Sequence, residues 1–420
     1  MLTLISAGDF CAPLITINAA ELGLHEKLFD RDIIEFVSSA DVSTINLEAP
    51  LTDHQTPSPK AGPTIKCPPA AIQAIKHAGF KTAVLANNHI MDYGPTGLND
   101  TLAACSDAGI SIVGAAQNSI EAQKPLFLNI AATRIAILAF AEHESGIATT
   151  SAPGAALFDP ITSPAAIRAA RPLADILIVN VHGGREYFPI PSPRFRSWCK
   201  CLIDAGADAV IGHHPHVCQG MQYWKGKPII YSLGHLFFNW PVTRPTCWYE
   251  GIISKITFDS GQITADFIGC RQTLENGTPT CTAMPPARLD RYRTAFDDVS
   301  DILKDDQACD DLWKTFCLSK AQSYFANLRL TASALNTPLN FKSAFKSRDL
   351  SAPISQLIAD ALRPKKHNQP YKRRLLNLLS CPSHLDVLQT LLEIELTSYR
   401  PPPHIASLCQ CLNQSLFTGL

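Results

Sequence analysis

Short, strongly apolar runs alternate with stretches of helical spacing from the N-terminus to about residue 270. The runs LTLISAG, STINLEA, TAVLAN, ISIVGA, RIAILAF, ILIVNVHGG, AVIGHHP and PIIYSLG have the length and continuity of buried strands. Among the stretches between them, PAAIQAIKHAG, GLNDTLAACSDAG and FRSWCKCLIDAG each stop at a glycine suited to a helix C-cap. This rhythm predicts an α/β domain with a largely parallel sheet, whose ligands would sit at the carboxyl ends of the strands.

GIISKITFDSGQITADFIGCRQ reads as a hairpin, two alternating runs around Asp-Ser-Gly, closing the sheet. Turn formers then mark a linker over 271–288, and the α/β domain is assigned to 1–270. From 289 to 420 the pattern is helical, with DDVSDILKDD, DDLWKTFCLSKAQSYFANLRLTASALN, SAPISQLIADALR and PSHLDVLQTLLEIELTSYR. The basic run RPKKHNQPYKRR within this region fits a solvated linker better than an anion contact.

Composition narrows the function classes. With 46% hydrophobic and 17% charged residues the 420-residue chain is too apolar to be disordered. A formal charge of −1 gives no basic field for nucleic acid. No run is long and apolar enough for an integral membrane span, and the first residues lack the basic start of a signal peptide. The 14 cysteines form no CxxC pairs, so reduced thiols in a cytoplasmic protein are expected.

The polar residues that end the strands carry the chemistry. They are Asp9, Asn46 with Glu48, the Asn87-Asn88-His89 run with Asp92, His182, and His213-His214-Pro215-His216. Oxygen and imidazole donors held on strand ends suit divalent cations, and this many candidates exceed one ion's needs. Taken singly each also fits a plain role. Asp9 fits a helix cap, Asn46 and Glu48 a solvated turn, Asn88 and His89 an Asn-Asn turn, and His182 a hydrogen-bonded core histidine. His214 and His216 are harder to read that way, because residues at i and i+2 face alike and Pro215 fixes the backbone between them.

In order, GDF at 8–10, NLEAPLT at 46–52, LANNHIMDYG at 85–94, HGGREY at 182–187, GADAVIGHHPHVCQG at 206–220 and YSLGHLFF at 231–238 resemble the bacterial capsule-synthesis CapA family, of the poly-γ-glutamate type. The resemblance covers roughly residues 1–240 and implies the calcineurin-like metallophosphoesterase fold. That fold is a four-layer α/β/β/α sandwich, here with an added C-terminal α-helical region. Two divalent ions, Mn, Zn or Fe, are implied as cofactors. Asp9 and His216 would hold one, Asn88, His182 and His214 the other, with Glu48 bridging. His89, oriented by Asp92, would be the unligated catalytic histidine, acting as an imidazolium on the leaving group. Asn46, Arg185, Glu186 and His235 are the candidate substrate-binding positions, although Arg185 and Glu186 equally fit a surface ion pair. Two departures stand out. Cys11 occupies the place of the histidine in Asp-x-His, and His235 stands where the family usually has asparagine.

The resemblance implies a bimetallic hydrolase, with hydroxide attack, in the synthesis or remodelling of a capsule or poly-γ-glutamate polymer. Its substrate would be an anionic polymer or a phosphoester, and the C-terminal region could meet polymer-synthesis proteins. A non-catalytic scaffold of such a complex and a cytosolic metallophosphatase or phosphodiesterase for a small metabolite are the alternatives.

Overall fold

The computed structural model describes residues 1–12, 24–239, 246–275, 278–334 and 369–414. The helix expected at SAPISQLIADALR and the first half of RPKKHNQPYKRR lie outside these described residues.

Strands β1 (Leu2–Cys11), β2 (Val42–Leu47), β3 (Thr82–Val84) and β4 (Ser111–Val113) lie side by side and parallel. Helices α1 (Arg31–Ser38), α2 (Ala71–His77) and α3 (Gly94–Ala108) fall between them in sequence. Asp30 caps α1 by accepting from the Ile33 amide, and α3 stops at Gly109, whose φ of 73° is the left-handed conformation that glycine adopts most readily. After the short β5 (Ala115–Ala116) the chain builds a second sheet. Its members are β6 (Leu126–Ile130), β7 (Thr133–Ala141), β9 (Ile176–His182), β10 (Ala209–His213), β11 (Cys218–Trp224) and β12 (Lys227–Leu233), in the order β11-β12-β10-β9-β7-β6. The two-residue β8 (Gly154–Ala155) pairs with β5. The chain then returns to the first sheet. There β13 (His235–Phe238) lies parallel to β1, while β14 (Glu250–Asp259), β15 (Gln262–Glu275) and β16 (Thr278–Ala283) extend it as antiparallel strands.

The central strands are apolar on both faces, and β7 shows why. Ile135, Ile137 and Ala139 point into the core between the sheets, while Ala136, Leu138 and Phe140 point into a second core on the outer face. A strand buried on both sides reads as a continuous apolar run rather than an alternating one. That second core is roofed by α4 (Thr162–Ala170), α5 (Pro193–Ala205), the end of α6 (Pro286–Ile302) and α7 (Asp306–Ala334). Helices α8 (Gln369–Ser380), α9 (Pro382–Thr397) and α10 (Pro403–Gln414) pack on α7 and join the same layer. Helix, sheet, sheet, helix is therefore the layer order, as the resemblance implies.

The stretch 271–288, expected as a linker, instead finishes β15, forms β16 and starts α6. Its proline and glycine read as turn signals, but β16 ends the sheet, and an edge strand tolerates a proline such as Pro279 while its threonines favour extended backbone.

One close approach fixes the site end of β1. A Cβ on Gly8 would stand 2.0 Å from the Gly234 carbonyl oxygen, which is backbone and has nowhere to go. Gly8→Ala is expected to cost near or above the top of the ~1–3 kcal/mol overpacking range. Urea denaturation checks this, and an unchanged midpoint would refute it.

Candidate metal centre

The predicted strand ends meet. Asp9 stands near the end of β1, where register shifts against both neighbours, between Ala7 and Asp9 toward β2 and between Asp9 and Phe10 toward β13, turn the strand. Asn46 and Glu48 come from the end of β2, and Asn88 and His89 follow β3. His182 ends β9, while His214 and His216 follow β10. The two last histidines hold φ values of 96° and 59°. Such left-handed backbone costs a non-glycine residue on the order of 1–3 kcal/mol, and it is tolerated where the surroundings demand that side-chain direction.

Every one of these side chains is buried. Asp9 Oδ1 accepts from Asn46 Nδ2 at 2.8 Å, and Asp9 Oδ2 lies 3.5 Å from His216 Nδ1. Glu48 Oε1 is 3.6 Å from His182 Nε2 and 3.8 Å from His216 Nε2. Asn88 Oδ1 is 3.1 Å from His182 Nε2, while its amide nitrogen donates to Glu144 at 2.5 Å, which aims the oxygen at the pocket. Neither Glu48 oxygen, nor His214 Nδ1, has a hydrogen-bond partner. A fully buried carboxylate without donors is costly unless a cation satisfies it. Ligand atoms within 4.8 Å of one another form the sets Asp9, Glu48 and His182; Glu48, His214 and His216; and Asp9, His216 and His235. The buried oxygen and imidazole donors, with Glu48 shared by two sets, fit a dinuclear metal site.

Electrostatics agree with that arrangement. Burial would raise the Asp9 carboxyl, but His213, His216 and His182 together hold it well below the usual range. Glu48 is pushed well above its ordinary value by burial and by the negative charge of Asp9, Glu186 and Glu144. Burial, with the neighbouring His214, lowers the His182 imidazole and leaves it neutral, as metal ligation requires.

His89 lies at the rim. Its Nδ1 is 2.6 Å from Asp92 Oδ2 and 3.1 Å from Lys60 Nζ, and Lys60 also bonds Asp92 Oδ1. Burial and the Lys60 charge lower its pKa despite Asp92, so the imidazolium expected there is the minor form at neutral pH in the free site.

Two expected substrate contacts lie elsewhere. Asn46 is fully buried, with Nδ2 bonded to Asp9 and 3.3 Å from His182 Nδ1; it holds ligands in place. His235 is likewise buried, bonded to His216 and the Trp248 carbonyl. Glu186 does reach the pocket, 3.7 Å from His216 Nε2. Arg185 lies half-buried over the Tyr324 ring of α7. Cys11 is buried beside Cys67 and belongs to none of the three ligand sets, and burial keeps its thiol protonated.

Lys60, Glu142 and Glu144 were not singled out from sequence. For the two acids the signal existed, because AFAEHESG ends a strand in carboxylates just as GDF does. Glu142 accepts from the Gly184 amide at 3.0 Å and from Arg194 at 2.7 Å. Arg194 also bonds Asp386 of α9 at 2.7 Å, and Ser192 reaches the same carboxylate at 2.8 Å. Through this clamp the C-terminal helices come to the site, and Cys381 and Ser383 line a crevice with Asn88, Glu144, His182 and His214.

Residues 3–240 match the family described as Bacterial capsule synthesis protein PGA_cap. The chain belongs to this family. Among its relatives, the capsule biosynthesis protein CapA of Bacillus anthracis is 31% identical over 63% of this chain and 66% of its own length. The PGA biosynthesis protein CapA of Bacillus subtilis (strain 168) is 34% identical over 44% of this chain and 50% of its own length. The chain thus covers half to just under two thirds of these CapA relatives. A hypothetical protein from Thermus thermophilus aligns over 68% of this chain and 100% of its own, at 13% identity and a TM-score of 0.42. The helix, sheet, sheet, helix layering is the architecture that the family resemblance implied. No described helix is long and apolar enough to cross a membrane.

Proposed function

We propose that this chain is a metal-dependent hydrolase that acts in the synthesis or remodelling of a capsule or poly-γ-glutamate-type polymer. The observation that carries the reading is Glu48, a buried carboxylate without hydrogen-bond donors, shared between two sets of ligand atoms. Asp9, Glu48 and His216 would hold one divalent ion, and Glu48, Asn88, His182 and His214 the other. When bound, such ions neutralise charge on substrate oxygens and bring the pKa of water toward about 7.

The remaining steps belong to side chains of this chain. Asn46 and Glu144 fix the orientation of Asp9 and Asn88. His89, held by Asp92 and Lys60, protonates the leaving group. Arg185 follows the ligand His182 by three positions in HGGREY and contributes positive charge for an anionic substrate. Cys381 and Ser383, at the start of α9, line this side of the site and narrow access to it.

Elemental analysis of protein purified without chelators, followed by turnover assays on aryl phosphodiesters and γ-glutamyl amides, tests the proposal. About two equivalents of transition metal and turnover lost in His214→Ala are expected. Bound metal without turnover on either class would favour the scaffold reading. No metal uptake, even after incubation with Mn and Zn, would sink the hydrolase.

A further inference from the structure

His235 arrives beside Asp9 because β13 runs parallel to β1 with these two residues in register. Its ring is almost fully buried, packed against Phe238 and Trp248 with centroid separations of 4.6 and 4.4 Å. Nδ1 stands 2.7 Å from the Trp248 carbonyl oxygen. A carbonyl only accepts, so Nδ1 is the nitrogen that donates to it, and Nε2 is the ring atom left to face the pocket. A backbone carbonyl behind one nitrogen is the arrangement that readies the other for a metal.

Nε2 faces the other two members of a ligand set, since one donor atom from each of Asp9, His216 and His235 lies within 4.8 Å of the others. Nε2 of His235 is 2.7 Å from His216 Nδ1, which in turn is 3.5 Å from Asp9 Oδ2. Two donors bonded to one ion at about 2.1 Å stand about 3.0–3.4 Å apart, between right-angle and tetrahedral geometry; the observed 3.5 Å lies just above that range and the 2.7 Å, a hydrogen-bond distance, just below it, so small shifts would admit an ion. Cys11, by contrast, lies against Cys67, outside the ligand sets.

We propose that His235 is a ligand of the first metal through Nε2, completing an Asp9, His216 and His235 set to which Cys11 contributes nothing. The inference rests on the reading of this pocket as a metal centre. It changes the expected role of His235 from substrate contact to ligation, and it accounts for the histidine and the cysteine together. A site that lacks an imidazole two residues after its aspartate draws one from the adjacent strand.

The test is metal binding itself. Wild type, His235→Ala, His235→Asn and Cys11→Ser are stripped with chelator and titrated with Mn²⁺ by calorimetry, then loaded with Co²⁺ for absorption spectra. Circular dichroism and melting identify any variant that fails to fold. His235→Asn is the milder substitution, with a side chain still able to bond the Trp248 carbonyl. Wild type and Cys11→Ser are expected to bind two ions. Both His235 variants should bind one ion normally and the other at least about 100-fold more weakly, at or beyond the 10–100-fold typical of losing a group that only orients a ligand. Two unweakened ions in a folded His235 variant would overturn the proposal. So would a thiolate-to-cobalt charge-transfer band that disappears in Cys11→Ser. Absence of metal in wild type would instead remove the metal-centre reading beneath it.

Discussion

Replacing Glu48 with glutamine is expected to stabilise the metal-free protein and to weaken the metal-loaded one. The carboxylate is fully buried, has no hydrogen-bond donor, and faces the charges of Asp9, Glu186 and Glu144. These causes, burial first, raise its pKa in the folded chain. The native state then holds its proton to higher pH than the unfolded chain does, so the associated stability is present below the ordinary carboxylate range. It is lost as pH rises through the raised value. Chelated wild type should therefore lose stability toward neutral and alkaline pH. Glu48→Gln should flatten that decline and gain about 1–3 kcal/mol at neutral pH, the scale of one unsatisfied buried group. With metal present the sign reverses, because the carboxylate is now a ligand. Linkage to an ion at a hundred times its Kd contributes about 2.7 kcal/mol, and the variant forfeits much of it. Urea denaturation with and without chelator, across pH 5 to 8.5, measures both arms. Equal destabilisation in both would show that Glu48 is an ordinary packing residue.

His89→Ala should lower turnover by about 10² to 10⁴ while leaving the metals in place. Its ring lies outside the ligand sets, and its Nδ1 is occupied by Asp92, which leaves Nε2 as the atom able to reach a departing oxygen or nitrogen. Burial and Lys60 keep the free imidazole neutral, and binding of an anionic substrate favours its protonation. The loss should be greatest for substrates with poor leaving groups and small for nitrophenyl esters, whose leaving groups need no proton. KM should move by no more than about threefold, since the residue acts in the transition state. Loss of metal along with activity, or equal loss for every leaving group, would assign His89 a structural role instead.

The site was largely legible because strand ends in a parallel sheet converge, so a local rule on eight short runs located distant residues. Asp9, Glu48, His182, His214 and His216 fall together in the ligand sets, and Asn88 Oδ1 lies 3.1 Å from His182 Nε2. The rule failed where position in the sequence does not report direction. Asn46 and His235 lie beside the pocket but face ligands, a distinction set by the pairing of β1 with β2 and β13. The strand run PIIYSLG ends at Gly234, one residue past β12, but the following HLFF forms β13, which pairs with β1 in the other sheet. The contact of α9 with the site was invisible for another reason. Ser192 and Arg194 meet Asp386 across more than 190 residues, and no local pattern encodes such a pairing.

That clamp also sets a timetable. A chain is made from its N-terminus, and its segments become available for folding in that order. Asp9, Glu48, Asn88, His182, His214, His216 and His235 all precede Cys381, Ser383 and Asp386 by well over a hundred residues. Every donor atom is therefore synthesised before the helix that closes over the crevice and before the carboxylate that locks Arg194. Acquisition of an ion and closure of its chamber are separable in time, and a growing chain passes through a stage in which the pocket is still open to the surrounding pool of metals.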